Sequence, residues 1–85
     1  MYFERRFVMR EILVNRLYRH FKGNFYYVKD VAQHTETGEM MVVYQAMYGG
    51  YGTFVRPVDM FLEEVDPERK DNVTGQKYRF ELYEK

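Results

Sequence analysis

The chain has 85 residues, 46% of them hydrophobic and 19% aromatic, with no cysteine, no tryptophan and a formal net charge of zero. This length suffices for one small domain, whose thin core must draw on nine tyrosines and seven phenylalanines. The composition excludes disulfides and thiolate sites, and no apolar run reaches the roughly 18–20 residues that a membrane span requires. We therefore expect a cytoplasmic domain with no metal and no cofactor.

The charge is distributed unevenly along the chain. Residues 1–22 carry six basic and two acidic side chains, whereas residues 59–71 carry six acidic and two basic ones. Opposite poles of this kind can attract each other across a subunit interface, so we expect a homo-oligomer, a dimer or larger. The net charge of zero argues against long DNA or RNA as a partner.

The first predicted elements are an N-terminal extension and two strands. Residues 1–11 form the extension, in which the spacing of Phe3 and Phe7 allows a helical turn, with a strand or an unstructured tail as the alternatives. Alternation from Ile12 onward predicts a strand that ends at the Gly23–Asn24 break, and the aromatic run "FYYVKDVAQH" predicts a second strand. Because Val31 falls out of phase with the preceding apolar positions, we predict a β-bulge near Lys29–Asp30.

A turn and the most apolar strand follow. "TETGE" predicts a turn, and "MMVVYQAMY" is apolar in both phases, which predicts a central strand. The next segment, "GGYG", could be a phosphate-binding loop or a hairpin turn. A phosphate loop requires a helix directly after it, whereas here "TFVRP" reads as a strand, so we interpret these glycines as a hairpin turn.

The last elements complete a mostly β fold. "PVDMFLEEV" predicts a one-turn helix near residues 57–61 and a short strand over 61–65, and residues 67–75 read as a loop. Residues 76–85 read as a C-terminal strand outside the compact unit, which pairs either at a sheet edge or across a dimer. Five short strands with one helical turn predict a small, SH3-like bent barrel over residues 12–66.

Four separated motifs resemble one protein family. "LYRHFKGNFYYV", "AQHTETGEMMVVYQAMYG" and "FVRPVDMFLEEV" match, in order, the YRHFKG, AxHTET, VVYxAxYG and WVRPxxMF motifs of a family of small bacterial and phage domains of unknown function. The resemblance spans about Leu17 to Val65. It implies a nucleotide-like ligand, since members occur alone or beside nucleotide-processing domains. Phe54 stands where the family usually has Trp, which keeps ring stacking but removes an N–H donor.

Two histidine segments are candidate sites. His34 and Glu36 invite a metal or acid–base interpretation, but the chain has only two histidines, and a turn whose side chains bond the local backbone explains the pattern better. His20, on the strand face of Tyr18 and Lys22, is either a surface or interface histidine or a hydrogen-bond donor to a ligand.

The strongest candidate is Arg56. If Val55 lies in the core, Phe54 and Arg56 emerge together, and an aromatic face beside a guanidinium can stack a base and bind a phosphate. The alternative is an arginine paired with Glu36, Asp59 or Glu63. Tyrosines around the "GGYG" turn could join the site or fill a core or dimer interface. The candidate ligand-binding residues are Tyr18, His20, His34, Glu36, Tyr44, Tyr48, Tyr51, Phe54 and Arg56.

No nucleophile, base and orienting group can be assembled from these residues, since the chain has neither serine nor cysteine. We therefore expect a non-catalytic module that binds a small anionic, nucleotide-like ligand and could sequester a nucleotide signal as phage-encoded sponge proteins do. The alternative is a protein-interaction module that binds a peptide or partner protein through its aromatic face.

Overall fold

A computed structural model describes residues 11–83, so all but the last residue of the predicted N-terminal extension lies outside the described residues. The fold is mostly β, as predicted. Its elements are β1 (Arg16–His20), β2 (Phe25–Gln33), β3 (Met40–Ala46), β4 (Thr53–Pro57), α1 (Val58–Phe61) and β5 (Phe80–Leu82). Within residues 11–83 there is no helix long and apolar enough to cross a bilayer.

The five strands form one antiparallel sheet in the order β4-β3-β2-β1-β5. Strand β3 has a neighbour on each side, which confirms the central strand expected from its apolar sequence. The "GGYG" segment lies in the hairpin that joins β3 to β4: the Ala46 amide donates to the Gly52 carbonyl at 2.9 Å, and Gly49 has a φ of 58°. The hairpin interpretation of these glycines is therefore confirmed.

Strand β2 contains the predicted bulge. Its register with β3 shifts between Val28 and Asp30, which leaves Lys29 as the extra residue. The bulge places Val28 opposite Tyr44 and Val31 opposite Val42, so that both valines face the same side of the sheet despite their odd spacing. Asp30 is exposed, and its carboxylate accepts the Val31 amide at 2.8 Å.

The sheet is strongly bent around one face, which we call the inner face. Tyr44 on β3 and Phe80 on β5 are separated by two intervening strands, about 14 Å in a flat sheet, yet their ring centroids are only 5.4 Å apart. No ladder joins β4 to β5 within residues 11–83, so the sheet stays open. This curvature is compatible with the predicted SH3-like barrel.

Helix α1 closes one side of the core. It begins directly after Pro57 and buries Val58 and Phe61, and the Phe61 ring stacks on Phe80 at 4.1 Å. The predicted helical turn near residues 57–61 is confirmed. The strand predicted over residues 61–65 is wrong, because the helix extends to Phe61 and only an isolated bridge, Glu64 to Tyr78, follows.

The C-terminal strand pairs at the edge of the sheet, one of the two placements we expected, but it belongs to the compact unit rather than lying outside it. Strand β5 pairs with β1, and Phe80 is 1% exposed at the centre of the core. The loop before it is ordered by the buried side chain of Asn72, which bonds the main chain of Asp66, Gly75 and Gln76. These bonds hold the chain in the path that carries Phe80 under the sheet.

Candidate functional site

Arg56 lies on the inner face of the edge strand β4. Its position opposite Val42, a fully buried residue, directs the side chain toward the concave side of the sheet. The guanidinium donates from Nε to the Tyr44 hydroxyl at 3.2 Å, and its central carbon lies 5.8 Å from the centroid of the Phe80 ring. Phe54 shares this face, since it lies opposite Tyr44 in the ladder.

The reason for this shared face differs from the one we predicted. We expected Phe54 and Arg56 to emerge together if Val55 lay in the core, but Val55 is 59% exposed on the outer face, and Phe54 and Arg56 turn inward. The rings of Phe54 and Tyr44 are 6.0 Å apart, and Phe54 remains 49% exposed. Phe54 and Arg56 therefore lie side by side on the concave face of the sheet.

Arg56 has no acidic partner within residues 11–83. Of the three predicted alternatives, Glu63 pairs instead with Arg79, through both Nε and a terminal nitrogen. Glu36 and Asp59 are exposed and make no ion pair with Arg56. The guanidinium is therefore a partly buried positive charge with its terminal nitrogens available to an anion.

Two tyrosine hydroxyls lie next to this face, beside the β3–β4 hairpin. The hydroxyls of Tyr26 and Tyr48 are 2.7 Å apart, and the Tyr26 ring makes an edge contact with Tyr44 at 5.4 Å. Burial, together with the hydrogen bond to Tyr48, raises the pKa of Tyr26 above its usual value of 10. The Tyr26 hydroxyl therefore keeps its proton at neutral pH and can donate it to Tyr48 or to a ligand oxygen.

His20 lies on the same face of the sheet, on β1. Its ring packs edge-on against Phe80 at 4.9 Å, and its Nδ1 accepts the Lys22 amide at 3.0 Å. Burial, followed by the positive charges of Arg79, Lys22, Arg56 and Arg69, lowers the pKa of His20 from 6.5 to about 4. The ring is therefore neutral at pH 7, and because Nδ1 is an acceptor, the proton resides on Nε2 as a donor.

Three of the four cations near His20, namely Lys22, Arg69 and Arg79, have acidic partners. Lys22 and Asp71 are 3.8 Å apart, and Arg69 makes a bidentate pair with the same carboxylate. The two oppositely charged segments of the sequence thus meet within one chain at Lys22 and Asp71. Among these four cations, Arg56 is the one without an acidic partner in the described part of the chain, so an incoming anion can neutralise it.

These residues define what we call the inner-face site. Its members are His20, Tyr26, Tyr44, Tyr48, Phe54, Arg56 and Phe80. Sequence reasoning missed Tyr26 and Phe80. The phase that Tyr26 shares with Val28 could have placed it on the inner face, whereas Phe80 reaches the site through strand pairing that no local pattern indicates.

The remaining predicted residues lie elsewhere. Tyr18 is 2% exposed in the core, and its hydroxyl accepts the Leu13 amide at 3.0 Å. Tyr51 is an exposed residue of the hairpin with a φ of 56°. His34 and Glu36 lie in the β2–β3 turn, at the other end of β3, where the His34 Nδ1 accepts the Glu36 amide at 3.1 Å.

The turn geometry favours a structural role for His34. Its main chain pairs with that of Glu39, and the Thr37 hydroxyl accepts the Glu39 amide at 3.1 Å. These bonds are the local backbone contacts that we weighed against a metal site. No three His, Asp or Glu side chains of residues 11–83 converge as metal ligands.

Comparison with known proteins identifies a family for this chain. The model of DUF1653, a protein family of unknown function, matches residues 16–82. The crystal structure of a DUF1653 protein from Bordetella bronchiseptica is similar, with a TM-score of 0.69 and 30% sequence identity over 87% of this chain and 90% of that one. None of the curated proteins matches the chain significantly.

Proposed function

The chain belongs to the DUF1653 family, and we propose that it is a non-catalytic module that binds a small anionic, nucleotide-like ligand at the inner-face site. The observation that carries this proposal is the Arg56 guanidinium. It is partly buried, held in place by the Tyr44 hydroxyl, and without a carboxylate partner in the described chain. An uncompensated, partly buried charge is costly for a fold, and binding an anion is a use that offsets this cost.

The surrounding side chains support a ligand with a flat ring beside its anionic group. Phe54 shares a face of β4 with Arg56 and is 49% exposed, so its ring can stack a base while the two terminal nitrogens of Arg56 bind a phosphate. The Nε2–H of neutral His20 and the Tyr26–Tyr48 hydroxyl pair add donors without adding charge. Such donors suit ribose or carbonyl oxygens.

The same geometry supports binding without catalysis. The chain has no serine or cysteine nucleophile, and the His20 Nδ1 is occupied by a backbone amide rather than facing an orienting carboxylate. A small binder of this kind would serve to sequester a nucleotide, releasing it unchanged.

The test is a thermal unfolding series with mono-, di- and cyclic nucleotides and ADP-ribose, with inorganic phosphate and free nucleosides as the two half-ligands. A ligand at about 100 times its Kd adds about 2.7 kcal/mol, which raises Tm by roughly 4–8 °C per kcal/mol for a domain of this size. We expect one nucleotide to raise Tm by this amount and each half-ligand to raise it less.

The matched variants are Arg56→Met and Arg19→Met. Arg19 lies on the outer face of β1, where its guanidinium carbon is 5.2 Å from the Phe25 ring, so it carries the same chemistry away from the site. We expect Arg56→Met to abolish the ligand-induced shift and Arg19→Met to retain it. The proposal would be overturned if no nucleotide raised Tm, or if Arg56→Met and Arg19→Met lost the ligand-induced rise in Tm equally. Peptide binding that survives Arg56→Met would instead establish the protein-interaction alternative.

A further inference from the structure

The outer edge of β4 presents its main chain for pairing. Strand β4 pairs with β3 on one side, and no other strand within residues 11–83 lies on its second side. Since Ala46 donates to Gly52, the alternation of an antiparallel ladder directs the main-chain groups of Phe54 and Arg56 toward β3. The N–H and C=O groups of Val55 therefore point away from the sheet, as do those of Thr53 and the C=O of Pro57.

The side chain of Val55 is equally uncovered. It is 59% exposed on the outer face, beside the partly exposed Val43 of the neighbouring strand. Edge strands with open donors and β-branched residues pair readily with another strand unless charges or prolines prevent it. Strand β4 has a proline only at its end and a single charge, Arg56, which lies on the inner face.

We propose that this edge pairs antiparallel with the same edge of a second copy of the chain, with Val55 on the two-fold axis. In this register Val55 exchanges both main-chain hydrogen bonds with Val55 of the partner subunit, and the Thr53 amide donates to the partner's Pro57 carbonyl. Because Pro57 lacks an N–H group, its place at the end of the ladder leaves no donor unpaired.

The side chains of β4 are self-complementary in this register. On the outer face, Val55 packs against the partner's Val55. This contact enlarges the apolar surface that Val55 already forms with Val43 on β3. On the inner face, Phe54 lies opposite the partner's Arg56, so that an aromatic ring adjoins a cation that has no carboxylate partner among residues 11–83 of its own chain. Shifting the register by two residues would place Arg56 opposite the partner's Arg56 or opposite the partner's Gly52, losing this complementarity.

The pairing goes beyond the proposed function, since it requires no ligand. It would bring two inner-face sites side by side, with Phe54 of each copy next to the Arg56 stem of the other. A five-residue edge is short, so the expected dimer is weak and depends on protein concentration.

The test is sedimentation velocity without nucleotide, over a wide range of protein concentration, on wild type and two variants. Val55→Lys places a charge on the two-fold axis, whereas Val73→Lys places the same charge at a loop valine that is 68% exposed. We expect a concentration-dependent dimer for wild type and Val73→Lys, and a monomer for Val55→Lys. Thermal melts verify that each variant folds.

Amide hydrogen exchange by NMR tests the register itself. Protection of the Val55 and Thr53 amides should rise with protein concentration, whereas the Phe54 and Arg56 amides, bonded to β3, should be protected throughout. A chain that stays monomeric, equal behaviour of the two lysine variants, or Val55 protection that does not change with concentration would overturn the proposal. The last outcome would show that another segment of the same chain covers the edge.

Discussion

The Nε of Arg56 donates a hydrogen bond to the hydroxyl of Tyr44 at 3.2 Å, and this contact ties a cation of the edge strand to a ring of the core. Tyr44 is 5% exposed and packs edge-on against Phe61 and Phe80, so its hydroxyl has one fixed position. The core therefore sets the direction of the guanidinium, while its terminal nitrogens meet no carboxylate among residues 11–83. This pre-organisation lowers the entropy that the Arg56 side chain must lose when a ligand binds.

A comparison of two arginines tests whether Arg56 is retained for stability. Arg56→Met should change the free energy of unfolding by less than about 1 kcal/mol, because relief of an uncompensated charge offsets the lost hydrogen bond. Arg79→Met should cost about 1–2 kcal/mol, because it leaves the partly buried Glu63 without its cation. Urea denaturation of both variants measures the difference, and a larger loss for Arg56→Met would show that this arginine is structural.

The histidine of the inner-face site should make stability depend on pH. The pKa of His20 is lowered from 6.5 to about 4 by burial and by nearby cations, so the unfolded chain takes up a proton in a range where the folded chain does not. This contribution to stability is complete above pH 6.5 and is lost as the pH falls toward 4.

Urea denaturation at about pH 7 and about pH 5 measures this loss, which should be about 1 kcal/mol once solvent around the half-buried ring is considered. His20→Asn keeps an acceptor for the Lys22 amide but cannot titrate, so it should lose this part of the pH dependence. An NMR titration midpoint for His20 near 6.5 would contradict the prediction.

Two glycines of the hairpin provide a matched test of Phe54. A Cβ on Gly52 would lie 3.0 Å from Cζ of the Phe54 ring, whereas one on Gly50 would meet nothing within 4 Å. We expect Gly52→Ala to displace the ring and weaken nucleotide binding several-fold, with a change in stability below about 1 kcal/mol, since Phe54 is half-exposed and can move. Gly50→Ala should bind the nucleotide with wild-type affinity. Calorimetric titration of both variants measures the two affinities.

Substitution of Asn72 in the loop that positions β5 should lower the free energy of unfolding. Its side chain donates to the Asp66 and Gln76 carbonyls and accepts the Gly75 and Gln76 amides. Asn72→Ala removes these bonds from a site that is 9% exposed, so the free energy of unfolding should fall by about 2–3 kcal/mol. The neighbouring Val73→Ala, at an exposed position, should change it by less than about 0.5 kcal/mol. Similar losses in both variants would contradict this role.

Local patterns in the sequence predicted several elements correctly. The displaced phase of Val31 indicated the bulge in β2, and the strand after "GGYG" indicated a hairpin rather than a phosphate loop. Pro57 correctly indicated the start of a helical turn. Each of these features depends on residues adjacent in the chain, whose periodicity and backbone preferences are visible in the sequence.

The sequence predicted some residues of the inner-face site but not which side of the sheet they occupy. Alternation showed that Phe54 and Arg56 share a face, but it could not show which face, because Val55 is as apolar as a core residue and yet lies exposed. The position of Phe80 was also misjudged, since the β5–β1 pairing joins segments about sixty residues apart in sequence.

The sequence by itself determined the strand pattern, the hairpins, the bulge and the absence of thiol chemistry, because these follow from composition and from the period-two alternation of strands. Only the tertiary structure decided that Arg56 meets no carboxylate within the described part of the chain, that His20 packs against Phe80, and that β5 brings Phe80 beneath the site. Those relationships arise when the sheet bends and brings β5 under β3 and β4. The direction of the bend is set by packing among distant aromatic rings, which no local pattern encodes.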